Sequence, residues 1–277
     1  MKRYLICSDI DGTLMTSQQT ISKKTRNLIH QLQKQGHLFF VATGRMHLSA
    51  MKIAEDIGSK TGVIASNGGV LSLNNEIITY NLDVESSLSI YRLAIQYNLP
   101  LFFFTQNTVY YSSILPDYFQ NDTDKGRVDS GKQESYCKIK NEADLIKHAS
   151  EYINAIIISE DDIENLQIVK EKLTENTNIH VSSSFWNNIE IVPKGVSKAT
   201  AIHQLQKHYQ IDQQHTISFG DGGNDIDMFK ASSISVAMEN ATNEVKAHAK
   251  YLTSSNNDDG VYQFLYQYFM EEKENGK

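Results

Sequence analysis

Ser8-Asp9-Ile10-Asp11-Gly12-Thr13-Leu14 is the stretch whose reading decides the fold. It follows the apolar run Tyr4-Leu5-Ile6-Cys7, which predicts a short buried strand. Two carboxylates one residue apart then stand where that strand ends, and Gly12 lets the backbone turn. In an open parallel sheet, ligands bind beyond the carboxyl ends of the strands, which places chemistry here. Two unpaired acids this close repel, and a buried carboxylate is costly without a partner. A bound cation relieves that cost. The plain alternative is a solvated turn in which Asp and Gly only punctuate the strand.

Working outward, Ser22 caps a predicted helix whose Ile21, Thr25, Leu28, Ile29 and Leu32 share one face, ended by Gly36. The run His37 to Ala42 predicts a second buried strand, stopped by Thr43-Gly44-Arg45, and a helix follows from Met46 to Ile57. Gly62 to Ser66 predicts a third strand, closed by Asn67-Gly68-Gly69. Val70 to Leu73 and Glu76 to Tyr80 pair as a hairpin across Asn74-Asn75. This β-α-β-α-β order predicts a parallel sheet with right-handed crossovers.

The rhythm changes near Asp83. A helix from Val84 to Asn98 is followed by a hairpin of Leu101 to Thr105 and Thr108 to Ser112, then a polar loop around Asp117 to Gln133. Strands at 136–139, 155–159 and 179–184 alternate with helices at 142–152 and 163–175, the pattern of a separate α+β unit. The doubly wound rhythm returns after Ile189-Glu190-Ile191-Val192-Pro193. A helix holding Lys198 leads to a strand at 215–220 that ends in Asp221-Gly222-Gly223-Asn224-Asp225. Strands at 234–237 and 251–253 and helices at 226–230, 243–250 and 261–272 finish the chain.

Composition narrows the function classes. With 277 residues, 40% hydrophobic and 21% charged, the chain can bury a sizeable core without staples. A net charge of −7 argues against a nucleic-acid or membrane-surface binder, although one metal ion can reverse the field inside a pocket. Cys7 and Cys137 read as reduced thiols of a cytoplasmic protein. The apolar run before Ser8 is too short for a signal peptide, and no segment reaches membrane-spanning length. The nine histidines form no HExxH pair, which argues against zinc.

Three strands thus end in Asp9/Asp11, Thr43 and Asp221/Asn224/Asp225, and a doubly wound sheet brings such ends together. Carboxylate oxygens with few nitrogens or sulfurs favour a hard cation such as Mg²⁺. Thr43, Lys198 and the amides at Ile10, Asp11 and Gly44 suit a phosphate. A metal, phosphate donors and a spare carboxylate together point to phosphoryl transfer through an aspartyl-phosphate.

Asp9-Ile10-Asp11-Gly12-Thr13-Leu14 resembles the DxDGT(L/V) motif of the haloacid-dehalogenase superfamily. Ala42-Thr43-Gly44-Arg45 resembles its second motif, Lys198 its third, and Gly220 to Asp225 its fourth. Ser66-Asn67-Gly68-Gly69 and Ile191 to Lys198 are similar to the Cof-type (class IIB) branch, whose large cap is inserted between the second and third motifs. The resemblance spans the chain and implies an α/β fold, a Rossmann-like doubly wound parallel-sheet core with an inserted α+β cap domain. The implied bounds are core over 1–82 and 190–277, and cap over 83–189. It also implies a Mg²⁺-dependent phosphatase acting on a small phosphorylated metabolite, with sugar phosphates expected first and nucleotide or cofactor phosphates next.

By the same resemblance, Asp9 is the nucleophile and a Mg²⁺ ligand. Asp11 is general acid and then base, and lends its backbone carbonyl to the metal. Asp221 is the third protein ligand and Asp225 supports the metal shell. Thr43, Gly44, Lys198 and Asn224 hold the phosphate. Ala199 departs from the Gly usual there.

Plain alternatives stand beside these roles. Lys194 lies before the same helix as Lys198, and Asp225 also suits a helix N-cap. Arg45 either touches substrate or neutralises the acids, and Asn67 either touches substrate or serves its turn. Phe185, Trp186 and Phe102-Phe103-Phe104 are expected in the cap core rather than as a substrate platform. A phosphomutase of the same superfamily is the rival enzyme. The rival from another class is a receiver-like phospho-Asp signalling module, which lacks so large an insertion.

Overall fold

Leu5–Ser8 form β1, and all four residues are buried because this strand lies inside the sheet, between two parallel neighbours. A computed structural model describes residues 2–73, 76–114 and 135–271. The expected turn at 74–75 and the loop at 117–133 fall outside them. The chain divides into two units, one made of 1–78 and 196–277, the other of 79–195.

In the first unit, β1 is followed by α1 (Lys23–Lys34), β2 (Leu38–Ala42), α2 (His47–Ile57), β3 (Gly62–Ala65), β4 (Val70–Leu73) and β5 (Glu76–Thr79). Ser22 caps α1 by accepting from the Thr25 amide, as its residue type predicts. The second unit holds α3 (Val84–Gln96), β6 (Leu101–Phe104), β7 (Thr108–Tyr111), β8 (Ser135–Lys138) and α4 (Glu142–His148). It continues through β9 (Asn154–Ile158), α5 (Ile163–Thr174), β10 (Ile179–Ser182) and β11 (Asn188–Pro193). The chain then returns to the first unit with α6 (Lys198–Tyr209), β12 (Thr216–Gly220), α7 (Ile226–Lys230), β13 (Ile234–Met238), α8 (Asn243–His248), β14 (Tyr251–Thr253) and α9 (Gly260–Tyr266).

The first sheet runs β14-β13-β12-β1-β2-β3-β4-β5. From β14 to β3 every pairing is parallel, and β4 turns back antiparallel on β3. The chain leaves β1 towards β2 and β3, then resumes on the opposite side of β1 with β12. That reversal is the switch point at which such sheets bind ligands. Register aligns Ser8 with Val41 on one side and Phe219 on the other, so the residues after β1, β2 and β12 leave the sheet together. Leu5, Cys7, Phe40, Ala42 and Ile64 pack under α6 and α7 against Ile202, Leu205 and Met228. Ile6 and Val41, one residue out of phase, face the other way.

The second sheet runs β10-β11-β9-β6-β7-β8, antiparallel except for β7 with β8. Its core joins Leu101, Phe103, Ala155, Ile157, Ile189 and Ile191 with Ile90 of α3, Leu145 of α4 and Val169 of α5. β11 pairs with β9 and β10, so the strand through Ile189–Pro193 completes this sheet instead of opening the returning core. The unit boundaries therefore fall at 78/79 and 195/196, not at 82/83 and 189/190.

The aromatic residues of this unit divide sharply. Phe102, Phe103 and Phe104 are buried, as expected. Phe185 and Trp186 are 67% and 70% exposed, which overturns their assignment to the core. They sit on the β10–β11 turn, where the Ser184 and Phe185 amides both donate to Asn188 Oδ1 at 3.2 Å, so the turn's own polar groups fix its shape. Phe103→Ala, which also loses the stack on Tyr152 at 4.5 Å, is expected to cost about 3–5 kcal/mol. Trp186→Ala should stay within about 0.5 kcal/mol. Denaturant unfolding of both variants checks the contrast.

Candidate active site

Asp9 follows β1 directly, and its amide donates to Phe219 O at 2.9 Å, so it continues the β1–β12 pairing by one residue. Asp221 follows β12, and Asp225 lies one turn further on. Oxygens of Asp9, Asp221 and Asp225 all fall within 4.8 Å of one another. Lys198, first residue of α6, enters this group with its side chain fully buried, and its Nζ donates to Asp9 Oδ1 and to Asp225 Oδ1, each at 2.7 Å. The capping box of Ser197 and Thr200 fixes where α6 starts and hence where Lys198 points. Lys194 is exposed and belongs to the other unit; the lysine among the acids is Lys198.

Asp225 is fully buried and does two jobs. Its Oδ1 takes Lys198, while Oδ2 accepts the amides of Asp221 and Gly222 at 3.0 Å each. Turn cap and cluster member are the same residue. Asp221 accepts from Thr13 Oγ1 at 2.7 Å, and Gly12 passes so close that a Cβ on it would lie 2.2 Å from Asp221 Oδ2. With φ at +74°, Gly12 is required twice over.

Three carboxylates around one ammonium in a water-poor site shift one another's protonation. Burial raises Asp9 well above the usual carboxylate range; Lys198 opposes this, and Asp225 and Asp221 add to it. Burial likewise pushes Asp221 up to about 6, against the hydrogen bond from Thr13. Burial works against the charge on Lys198, yet Asp225 and Asp9 together outweigh it and hold its pKa above the ordinary value. The donor set is carboxylate oxygen throughout, which fits a hard divalent cation and not zinc or copper.

Asp11 stands apart from that group. Its carboxylate is gripped by Arg45, with Nε on Oδ2 at 2.7 Å and Nη2 on Oδ1 at 2.5 Å, and Arg45 also donates to Gln19 Oε1 at 2.7 Å. Of the four expected metal residues, the cluster thus brings together the carboxylates of Asp9, Asp221 and Asp225, while that of Asp11 pairs with a side chain. Arg45 thus pairs with an acid of the first motif.

Thr43 follows β2, is buried, and accepts the Arg45 amide on Oγ1 at 3.1 Å. Gly44 sits beside Asn67, whose side chain a Cβ there would meet at 3.4 Å. Asn67 Oδ1 accepts from Asn224 Nδ2 at 3.2 Å, so both asparagines lie at this edge and meet each other. The turn bearing Asn67 has three successive positive φ values, 49° at Ser66, 52° at Asn67 and 96° at Gly68. Non-glycine residues held this way cost on the order of 1–3 kcal/mol each.

A cluster built on the motif acids at a sheet switch point is matched by wider similarity. A model of haloacid dehalogenase-like hydrolases matches residues 6–265. The chain belongs to that family. This hydrolase is 26% identical to the 5-amino-6-(5-phospho-D-ribitylamino)uracil phosphatase YitU of Bacillus subtilis, over 97% of this chain and 98% of that one. It is 29% identical to a phosphatase of the same name, YbjI of Escherichia coli, over 94% of each chain. The solved structure of a haloacid dehalogenase-like hydrolase from B. subtilis superposes with a TM-score of 0.83 at 25% identity, covering 95% of this chain and 98% of that one.

Two residues of the hydrolase's site escaped the sequence reading. Thr13 lies inside the first motif, and its hydroxyl holds Asp221. Asn240 follows β13 and donates to Gly12 O at 2.8 Å and weakly to Asp221 Oδ2 at 3.4 Å. The signal was available: like Asp9, Thr43 and Asp221, Asn240 lies just past the end of an apolar parallel strand.

Proposed function

We propose that this hydrolase is a Mg²⁺-dependent phosphatase that cleaves small phosphate monoesters through an aspartyl-phosphate on Asp9. The observation that carries the reading is the buried group of Asp9, Asp221 and Asp225 around Lys198, which needs a further cation to hold three ionised carboxylates. Asp9, Asp221 and Asp225 would hold Mg²⁺, directly or through water. When bound, the ion supplies positive charge against the transferring phosphate and keeps Asp9 ionised.

In the first half-reaction an oxygen of Asp9 attacks phosphorus, the bond from phosphorus to the leaving oxygen breaks, and Asp11 gives that oxygen its proton. In the second, Asp11 takes a proton from water, whose oxygen attacks the aspartyl-phosphate and frees Asp9. Asp11 reaches either role by loosening its pair with Arg45, whose guanidinium is then free to turn to the incoming phosphate. Lys198, Thr43, the Gly44 amide and Asn224 surround the phosphoryl oxygens and offset the charge that develops on them. The second unit serves as the cap that selects the leaving group.

Both relatives named above carry a name that describes a phosphate ester of a ribityl chain on a uracil ring. That compound joins hexose phosphates, FMN and pyridoxal phosphate in the test panel. Phosphate release from at least one of them, present with Mg²⁺ and lost in EDTA, is the expected result. A panel with no Mg²⁺-dependent release overturns the reading, and isomer formation from a bisphosphate-primed sugar phosphate would turn it to a mutase.

Metal binding should also depend on pH with a definite sign. The folded-state pKa of Asp221 is raised from 3.8 to about 6, so in the metal-free protein its stabilising contribution is complete below the lower value and lost as pH rises through the upper. Mg²⁺ must displace that proton. Its apparent affinity should therefore fall as pH drops through about 6, by about tenfold per pH unit from Asp221 alone, and Asp9, also raised by burial, steepens the fall. Calorimetric titration of Mg²⁺ at several pH values measures this; equal affinity on both sides of pH 6 would contradict it.

A further inference from the structure

The turn Ser66-Asn67-Gly68 holds three successive residues at positive φ. Ser66 is buried in a left-handed conformation, and its hydroxyl has no hydrogen-bond partner among the described residues. Strain of this kind persists only where the surroundings over-determine it. Here they do. The Ser66 amide donates to Arg45 O at 2.9 Å and the Asn67 amide to Thr43 O at 3.0 Å. A Cβ on Gly68 would lie 2.2 Å from the carbonyl oxygen of Ser197, the residue before Lys198. The Asn67 side chain, on a residue 5% exposed, accepts from Asn224. One turn with no charged side chain thus touches the three segments that carry Thr43, Lys198 and Asn224.

We infer that Asn67 is a positioning residue for Asn224: it acts on the phosphate through that amide and not by contact with substrate. This rests on the phosphatase reading above. The residue type meets two demands at once. Asparagine tolerates the left-handed region better than other non-glycine residues. Its amide oxygen is also an acceptor without charge, whereas a carboxylate there would set a negative charge beside an edge that must take a phosphate. Glycine would meet the backbone demand and lose the acceptor; aspartate would keep the acceptor and add the charge.

The test is a double-mutant cycle of Asn67→Gly and Asn224→Ala, read on kcat/KM for the best ester of the panel and on the affinity for inorganic phosphate in Mg²⁺. Asn67→Gly keeps a backbone that accepts the positive φ, so the amide alone is probed. Each single variant is expected to lose about tenfold, and the double variant no more than Asn224→Ala alone, the coupling of residues in one hydrogen-bond network. Losses that multiply, or no loss in Asn67→Gly, overturn the inference. If Asn67→Gly does not fold, Asn67→Asp decides: the inference expects kcat within about threefold of wild type and a raised KM, the split left by a retained acceptor and an added charge. Loss of kcat in Asn67→Asp overturns it. If wild-type protein binds phosphate but hydrolyses nothing, the phosphatase reading fails while the cycle on phosphate affinity still decides this one; no phosphate binding at all defeats both.

Discussion

Asp9→Asn is expected to lower phosphate release by about 10⁴-fold or more, the scale on which removal of a covalent nucleophile acts. The change is nearly isosteric and swaps one carboxylate oxygen for an amide nitrogen that cannot attack phosphorus. Lys198 keeps its bond to Asp225 Oδ1 at 2.7 Å, so the ammonium is not stranded. The Asp9 amide to Phe219 O is a backbone bond and survives. Burial raises the pKa of Asp9, so the variant also removes a group that resists ionisation in the metal-free protein, and its thermal midpoint should not fall. The measurements are single-turnover phosphate release and a melting curve. Undiminished Mg²⁺-dependent release would sink the assignment of Asp9 as nucleophile, whatever the melting curve showed.

Lys198→Met should do the reverse, with stability lost along with activity. The methionine fills most of the volume but leaves Asp9 and Asp225 facing each other in a buried site without their shared cation. Removing one partner of a buried ion pair costs about 3–5 kcal/mol, chiefly because the other partner is left uncompensated. That loss should shrink when Mg²⁺ is present, since the added cation takes over part of the neutralisation. Denaturant unfolding with and without Mg²⁺ reads both effects. A variant as stable as wild type in EDTA would show that the acids tolerate one another without Lys198, as they would if they held protons in the metal-free protein.

The core was legible because its signals are local and redundant. Short, largely apolar segments before Asp9, Thr43 and Asp221 read as buried strands, and each ended in its polar cluster. Ser22 announced its helix by residue type and performs that capping in the structure. The failures came where a signal was ambiguous. Ile189–Pro193 reads as a strand in either unit, and only its pairing with β9 and β10 assigns it to the second. Phe185 and Trp186 are apolar by composition, but they fall on a turn whose geometry is set by Asn188, so nothing turns them inward. The grip of Arg45 on Asp11 joins residues 34 positions apart, and sequence could not choose between that pair and a substrate contact.

The strand order has a consequence for how the chain is made. β1 lies between β2 and β12, and Leu5 is paired with Thr216 across more than two hundred intervening residues. While the chain emerges from the ribosome, one edge of β1 must wait for β12, whereas residues 79–195 form a continuous segment able to fold beforehand. Until then β1 offers an apolar, unpaired edge, a ready template for wrong pairing. The strand that leads into Asp9 is thus exposed to misfolding during synthesis, and slow translation through 196–215 would lengthen that exposure.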